Sequence, residues 1–245
     1  MTLLAIDAGN TRIKWGMHDG VTWSHRGAVA TAQAGELRQA LAAMPAPRRI
    51  VIANVAGPRV QGEIGDTLSR FAVQPEWIAA RAEQCGVRSS YAIPAQLGPD
   101  RWAALIAARN LYGGPCVVVN AGTTATVDAL SAEGIFLGGF IVPGYNLMRQ
   151  TLSQNTARLV LQEGRVSFFP DNTGDAIASG AANAIAGAVE RMIHFMADIA
   201  PLEPVAVLSG GDAEIIASLL SARVELVDNL VLEGLLCIGA SGVGA

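Results

Sequence analysis

The sequence predicts a mixed α/β fold built from two related halves. Strand and helix patterns alternate along the 245 residues, which indicates α/β halves rather than separate α and β regions. A strand-and-turn motif occurs twice in matching contexts, which indicates an internal repeat. A chain of this length can hold two small domains, each with its own core. We place their boundary at Gly113-Gly114-Pro115, which gives domains 1–114 and 115–245.

The first half begins with a short apolar strand, residues 3–6, that stops at Asp7. Asp19-Gly20 then marks a hairpin turn between strands at 12–16 and 22–25. The remaining elements of this half are helices at about 35–43, 60–71 and 100–111, and strands at 49–54 and 76–79. The glycines at the domain boundary end the last of these helices.

The second half begins with the same elements, a strand, the motif, a glycine-containing turn and a further strand. An apolar run at 116–119 stops at Asn120, and Glu133-Gly134 marks the next turn. The later elements are helices around 145–151, 175–197 and 213–222, and a strand at 205–208 that enters Ser209-Gly210-Gly211-Asp212. The paired glycines either leave a flat surface on which a planar ring could lie or form an ordinary tight turn before a helix.

Composition narrows the classes of function. Hydrophobic residues make up 51% and charged residues 16% of the chain, which indicates a globular protein. The net charge of −4, without a long basic run, argues against nucleic acid as a partner. No apolar run reaches the ~18 residues of a membrane span, and no basic leader precedes the first strand. We therefore expect a cytoplasmic protein without a membrane partner.

The repeated motif points to phosphate binding. Its copies, Asp7-Ala8-Gly9-Asn10-Thr11 and Asn120-Ala121-Gly122-Thr123-Thr124, each end a strand and open a tight turn. The glycine lets the backbone approach a ligand, and successive turn N–H groups form a donor array that suits a polyanion. Lys14 adds a positive charge, whereas Asp7 would repel phosphate and instead hold Mg²⁺, directly or through water. Facing loops would grip a triphosphate between the halves; the alternative is that both motifs are ordinary β-turns.

The segment Gly98-Pro99-Asp100-Arg101 contains the candidate general base. In the functional interpretation, Asp100 accepts a proton from an acceptor hydroxyl, and Arg101 binds a carboxylate or steadies the transferring phosphoryl group. In the structural alternative, Asp100 only caps the following helix, beside a solvated Arg101. Each of two more residues has two interpretations. Thr173 either caps a helix or donates to substrate, and Tyr91 either contacts substrate or lies in the core.

These residues together resemble the type III pantothenate kinases, within the superfamily of acetate kinases, sugar kinases, Hsp70 and actin. The resemblance spans nearly the whole chain and keeps the order of the motifs. The matching segments are the two phosphate motifs, Gly98 to Arg101, Gly138-Gly139 with Pro143-Gly144, Asn172-Thr173 and residues 208–212. The resemblance implies two duplicated actin-like (ribonuclease H-like) domains with mixed sheets and an ATP cleft between them.

The resemblance also implies a reaction, the ATP-dependent phosphorylation of pantothenate in the first step of coenzyme A biosynthesis. Asp100 is the implied base, and Asp7 contacts Mg²⁺ indirectly. The implied ATP-binding residues are Asp7, Ala8, Gly9, Asn10, Thr11, Arg12, Ile13, Lys14 and Thr123. The implied pantothenate-binding residues are Tyr91, Gly98, Pro99, Asp100, Arg101 and Thr173. Members of the family are homodimers, so we expect a homodimer here.

One residue departs from the family pattern. The family usually has Asp at the position of Asn120, and that Asp helps to hold a monovalent cation, K⁺ or NH₄⁺. Because Asn offers only a neutral oxygen, a weaker ligand for a cation, we expect a reduced or lost cation dependence. Two alternative functions stay open: a related kinase that acts on another small acceptor, and a nucleotide-binding accessory regulator without catalysis.

Overall fold

The computed structural model describes residues 2–155, 163–199 and 202–241. The chain divides into two compact units. Unit 1 comprises Met1–Leu111 together with Leu230–Ala245, and unit 2 comprises Tyr112–Asn229. The predicted second domain, 115–245, included the C-terminal segment, which here packs within unit 1.

Unit 1 is built on a five-stranded sheet with the order β3-β2-β1-β4-β5. Its strands are β1 (Leu3–Ala8), β2 (Arg12–His18), β3 (Trp23–Ala30), β4 (Arg49–Asn54) and β5 (Glu76–Trp77). β1 pairs antiparallel with β2 and parallel with β4. β1 is apolar along most of its length because it lies inside the sheet, and Leu4 and Ile6 are fully buried in the core.

The other elements of unit 1 position the candidate base. They are a 3₁₀ helix (Thr31–Glu36), α1 (Leu37–Ala40), α2 (Pro58–Leu68), the hairpin strands β6 (Glu83–Gln84) and β7 (Val87–Ser89), and α3 (Pro99–Tyr112). The helix predicted at 35–43 is instead the end of the 3₁₀ helix followed by the four-residue α1, and the strand predicted at 76–79 has two residues. α3 is buried along most of its length, and the Nε1–H of Trp102 donates to Oε1 of Gln84 in the hairpin at 2.9 Å.

Within unit 2, five strands run in the order β10-β9-β8-β11-β12. They are β8 (Cys116–Ala121), β9 (Thr124–Leu130), β10 (Ile135–Pro143), β11 (Val205–Ser209) and β12 (Val224–Leu226). Each neighbouring pair has the same direction as its counterpart in unit 1: β8 is antiparallel to β9 and parallel to β11, as β1 is to β2 and β4. The predicted duplication of the fold is therefore confirmed.

The helices of unit 2 are α4 (Tyr145–Asn155), α5 (Thr173–Ala197) and α6 (Ala213–Ala217), which is five residues shorter than the predicted helix at 213–222. One face of α5 packs on the sheet core, for example through Ile185 and Val189. The last helix, α7 (Leu230–Ser241), returns to unit 1 and contacts β1 and β4. A Cβ on Gly234 would lie 1.9 Å from the carbonyl oxygen of Ala103, so only glycine lets α7 approach α3 this closely. None of the helices in the described ranges is long and apolar enough to cross a bilayer.

Candidate active site

The first phosphate motif forms the turn between β1 and β2. The backbone N–H of Gly9 donates to the carbonyl oxygen of Arg12 at 3.1 Å and closes the turn. Ala8 and Ile13, on either side of it, are fully buried. Their side chains therefore belong to the core, and only their backbone can face a ligand. Asn10, between them, is exposed, as are Thr11 and Arg12.

Three charged groups meet beside this turn. Asp7 on β1 and Lys14 on β2 are paired in the sheet register. Burial and, to a smaller extent, the negative charge of Asp100 raise the pKa of the Asp7 carboxyl to about 7, against the opposing positive charge of Lys14. Asp7 and Asp100 therefore interact electrostatically, although Asp100 lies at the start of α3. The fold brings the predicted metal-contacting carboxylate and the predicted base into one cluster.

Asp100 lies in the first turn of α3 and does not cap it. The N–H of Trp102 donates to the carbonyl oxygen of Gly98 at 3.0 Å, so Gly98 occupies the capping position. The Asp100 Oδ1 atom accepts from the backbone N–H of Arg101 at 2.8 Å. Burial raises the pKa of Asp100, and the hydrogen bond and the charge of Arg101 oppose that shift. The alternative that Asp100 is only the N-cap is therefore wrong.

The neighbours of Asp100 are packed against it. A Cβ on Gly98 would lie 2.6 Å from the Asp100 Oδ1 atom, so glycine is needed to leave the carboxylate in place. Arg101 is only 5% exposed, so the alternative of a solvated neighbour is wrong. Pro99 begins α3 and is half-buried. Tyr91 is also half-buried, in the loop after β7, where its N–H donates to Oγ of Ser89 at 3.2 Å.

The second motif has a shorter turn than the first. Ala121 pairs with Ala125, so residues 122–124 form the turn, whereas Ala8 pairs with Ile13 and residues 9–12 form the first turn. Asn120 consequently pairs with Thr126 and, on its other side, with Ser209. Thr126 thus occupies the place in the sheet that Lys14 holds in unit 1. Thr123 is exposed at the tip of the turn.

Two glycine segments pack closely on this second turn. A Cβ on Gly144 would lie 1.9 Å from the carbonyl oxygen of Gly122, and the Gly144 N–H donates to the carbonyl oxygen of Thr123 at 3.0 Å. Gly210 has a φ of 112°, and its Cβ would lie 2.2 Å from the carbonyl oxygen of Ala121. The Gly210-Gly211 segment is thus a tight turn before α6 whose close approach to the motif requires glycine.

Thr173 lies at the N-terminus of α5 but is not its cap. The side chain of Asn172 accepts from the N–H of Asp175 at 2.9 Å, so Asn172 is the N-cap and the capping interpretation of Thr173 is wrong. Thr173 is exposed and lines a groove of about 730 Å³ in unit 2, with apolar walls from α4 and α5. Because Tyr91 and residues 98–101 belong to unit 1, the joint role of all these residues in one pocket stays a prediction.

One residue that contacts the first motif was missed by the sequence analysis. Thr31 is buried, 6% exposed, and its hydroxyl donates to the carbonyl oxygen of Gly9 at 2.7 Å. Its backbone N–H donates to the carbonyl oxygen of Thr11 at 3.0 Å. A single threonine after a strand has no spacing or periodicity that would single it out in the sequence. Gly144, by contrast, stood in a segment that matched the family.

The carboxylate of Asp7 fits a divalent ion. Mg²⁺ prefers oxygen ligands and is usually held by one or two carboxylates together with substrate phosphates. Asp7 supplies such an oxygen at the end of β1, next to the turn with exposed residues. No cluster of three or more acidic, histidine or cysteine residues suited to a metal occurs in the described ranges. The single carboxylate of Asp7 fits the usual mode, in which one or two carboxylates hold Mg²⁺ together with substrate phosphates.

Comparison with solved structures defines the fold class. The fold resembles that of MreB 5 of Spiroplasma citri bound to AMPPNP, with a TM-score of 0.53, 9% identity, and coverage of 98% of this chain and 96% of that one. A Campylobacter jejuni protein, described provisionally as a conserved Baf family transcriptional activator, gives a TM-score of 0.63 at 23% identity, covering 99% and 100% of the two chains. The predicted actin-like fold is confirmed.

Sequence comparison then gives the family. The model of the type III pantothenate kinase family matches residues 3–194. A protein of Aromatoleum aromaticum named type III pantothenate kinase is 49% identical over 243 residues, which cover 99% of this chain and 100% of that relative. The chain belongs to the type III pantothenate kinase family. The resemblance inferred from the motifs is confirmed.

Proposed function

We propose that this chain transfers the γ-phosphoryl group of ATP to the primary hydroxyl of pantothenate, giving 4′-phosphopantothenate for coenzyme A synthesis. Family membership supports this activity. The observation that carries it is the electrostatic interaction between Asp7, beside the first phosphate turn, and Asp100, at the start of α3. In this proposal, the first phosphate turn binds the nucleotide and shares one site with the candidate base.

In the proposed step, Asp100 accepts the proton of the pantothenate hydroxyl while the oxygen of that hydroxyl forms a bond to the γ-phosphorus. The bond between that phosphorus and the bridging oxygen breaks, and ADP leaves with the electron pair. The raised pKa of Asp100 makes its carboxylate a stronger base than an exposed aspartate. A single base suffices because phosphoryl transfer depends mainly on positioning and charge neutralisation.

We assign the nucleotide contacts to the two turns. The backbone of Ala8 to Ile13, the side chains of Asn10 and Thr11, and the charged groups of Arg12 and Lys14 would bind the phosphates, with Thr123 contributing from the second turn. Asp7 would hold Mg²⁺ indirectly. When bound, Mg²⁺ supplies positive charge to the phosphate oxygens. Lys14, paired with Asp7 in the sheet, adds a second positive charge from the protein.

We assign the acceptor contacts to Tyr91, Gly98, Pro99, Asp100 and Arg101, and to Thr173 of unit 2. The buried guanidinium of Arg101 suits the carboxylate of pantothenate, since arginine binds carboxylates through two parallel hydrogen bonds. Thr173 is exposed at the N-terminus of α5, where its hydroxyl is accessible to a ligand.

We further propose that the chain forms homodimers through unit 2. The groove at Thr173 has apolar walls that include Met148, Leu152 and Ile177. The adjacent Phe168 and Phe169 are 92% and 95% exposed, which is unusual for two consecutive aromatic side chains. Light scattering tests the proposal: Phe168→Ser/Phe169→Ser should yield monomers, and a wild-type monomer at micromolar concentration would contradict it. The cytoplasmic location stays a prediction.

The activity is tested by ADP release coupled to a reporter, with pantothenate as acceptor. Wild-type protein should release ADP only when pantothenate, ATP and Mg²⁺ are all present. A panel of small alcohols, sugars and acetate separates this function from that of a related kinase, because faster turnover of any of them would contradict the proposal. Calorimetry separates it from a regulator: nucleotide binding without pantothenate binding or turnover would favour the regulator.

A further inference from the structure

Thr31 connects two points of the first phosphate turn. It follows β3, begins the 3₁₀ helix, and is 6% exposed. Its hydroxyl donates to the carbonyl oxygen of Gly9 at 2.7 Å, and its N–H donates to the carbonyl oxygen of Thr11 at 3.0 Å. One buried residue from outside the motif thus holds two of the carbonyl groups of the turn.

These two hydrogen bonds fix the direction of two N–H groups. A trans peptide group is planar, so the carbonyl of one residue and the N–H of the next point in opposite directions, and the described residues contain no cis peptide bond. Because the carbonyls of Gly9 and Thr11 point toward Thr31, the N–H groups of Asn10 and Arg12 point away from it. Both residues are exposed.

We propose that Thr31 is a positioning residue of the nucleotide site. By holding the two carbonyls, it orients the N–H groups of Asn10 and Arg12 toward the phosphates before the nucleotide arrives, which lowers the cost of ordering the turn on binding. Thr31 itself does not touch the nucleotide. The proposal rests on the proposed function, because it takes the first phosphate motif to bind ATP.

Three variants separate positioning from simple packing. Thr31→Val keeps the shape of the side chain but removes the hydroxyl donor, whereas Thr31→Ser keeps the donor. Thr67→Val is the matched control, since Thr67 is a buried threonine of α2, 3% exposed, in the same unit. Calorimetric titration with a non-hydrolysable ATP analogue and Mg²⁺ should show about fivefold weaker binding for Thr31→Val, as expected for one lost hydrogen bond. Thr31→Ser and Thr67→Val should bind as the wild type does.

Steady-state kinetics give an independent measurement. Thr31→Val should raise KM for ATP and leave KM for pantothenate unchanged, because only the nucleotide turn is affected. Wild-type nucleotide affinity in a folded Thr31→Val protein would overturn the proposal. Equal weakening in Thr31→Val and Thr67→Val would also overturn it, because that result would show a general effect of lost stability.

The wild-type protein provides the test if Thr31→Val does not fold. Amide hydrogen exchange at Asn10 and Arg12 should slow when the ATP analogue binds, and unchanged exchange at both residues would overturn the proposal. The nucleotide titration needs no acceptor. A protein that binds nucleotide through this turn but does not phosphorylate pantothenate would contradict the proposed function and leave the role of Thr31 supported.

Discussion

The two phosphate motifs look alike in sequence but differ in charge and in how they are held. At the strand end of unit 1, Asp7 pairs with Lys14 and interacts with Asp100. At the equivalent place in unit 2, Asn120 pairs with Thr126, and both are neutral. The first strand end therefore carries charged side chains, whereas Asn120 and Thr126 at the second are neutral polar residues.

The two turns are also supported differently. Thr31 holds the carbonyls of the first turn with a side chain and a backbone group. Gly144 donates its N–H to the carbonyl of Thr123 in the second turn, and its missing side chain allows the approach. We therefore expect that the first copy of the motif takes part in the chemistry and that the second copy serves binding alone. The predictions below test this division.

The largest expected effect is the loss of the base in unit 1. Asp100→Asn should lower kcat by about 10²- to 10⁴-fold, the usual contribution of a positioned general base. Affinity for an ATP analogue should not change, because Asn keeps the shape of the side chain. The coupled ADP-release assay measures kcat, and calorimetry measures the affinity. Retention of most of the wild-type activity would remove Asp100 from the mechanism.

Asp7→Asn makes the first strand end resemble the second, and we expect about 10²-fold lower activity because the carboxylate for Mg²⁺ is gone.

The same substitution should raise the stability of the protein. The pKa of Asp7 is raised from an ordinary 3.8 to about 7, so the folded state keeps a proton that the unfolded state releases. The free energy of unfolding of the metal-free wild type should fall as pH rises from about 4 to about 7.

Asp7→Asn should lack this contribution and unfold at a temperature several degrees higher than the wild type at pH 8. Thermal melts from pH 5 to pH 8 without Mg²⁺ check the difference. If the melting temperatures of the two proteins changed with pH in the same way over that range, the raised pKa of Asp7 would be contradicted. That result would also contradict the idea that Asp7 is kept for activity although its buried charge lowers the stability of the protein.

Much of the duplicated fold could be predicted from the sequence because it depends on local patterns. A run of apolar residues that stops at Asp7, and another that stops at Asn120, mark strand ends whatever the rest of the fold does. The shared pentapeptide then indicates duplication. The position of Asp100 beside Pro99 and before an apolar helix indicates a carboxylate at a helix start, with a cap and a general base as the two alternatives.

Other features depend on contacts that no local pattern encodes. The one-residue difference between the turns is a matter of register, which is decided by pairing along whole strands. The α7 helix (Leu230–Ser241) is almost entirely apolar, so it shows no polar face and no helical period, and its return to unit 1 is a long-range contact. Both Asn172 and Thr173 suit an N-cap, and only the structure distinguishes them.

A smaller effect should follow from filling the space beside the second turn. Gly144→Ala places a methyl carbon 1.9 Å from the Gly122 carbonyl oxygen, so the turn must shift at a cost of about 1–3 kcal/mol. Denaturant unfolding should detect that loss, with a raised KM for ATP. Gly211→Ala is the matched control, because a Cβ there meets nothing within 4 Å. Equal effects in both variants would contradict the importance of the close approach.

The smallest expected effect comes from restoring a charge to the second strand end. Asn120 lies beside Ser209 and Thr126, and the buried Oγ1 of Thr126 makes no hydrogen bond within the described ranges. These neutral oxygens should attract a monovalent cation only weakly, whereas Asn120→Asp adds a full negative charge. Wild-type rates should be similar in K⁺ and in tetramethylammonium, and Asn120→Asp should gain a severalfold stimulation by K⁺. Strong K⁺ dependence of the wild type would show that Asn120 can serve a cation site. The two motifs would then differ only in the residues that hold their turns.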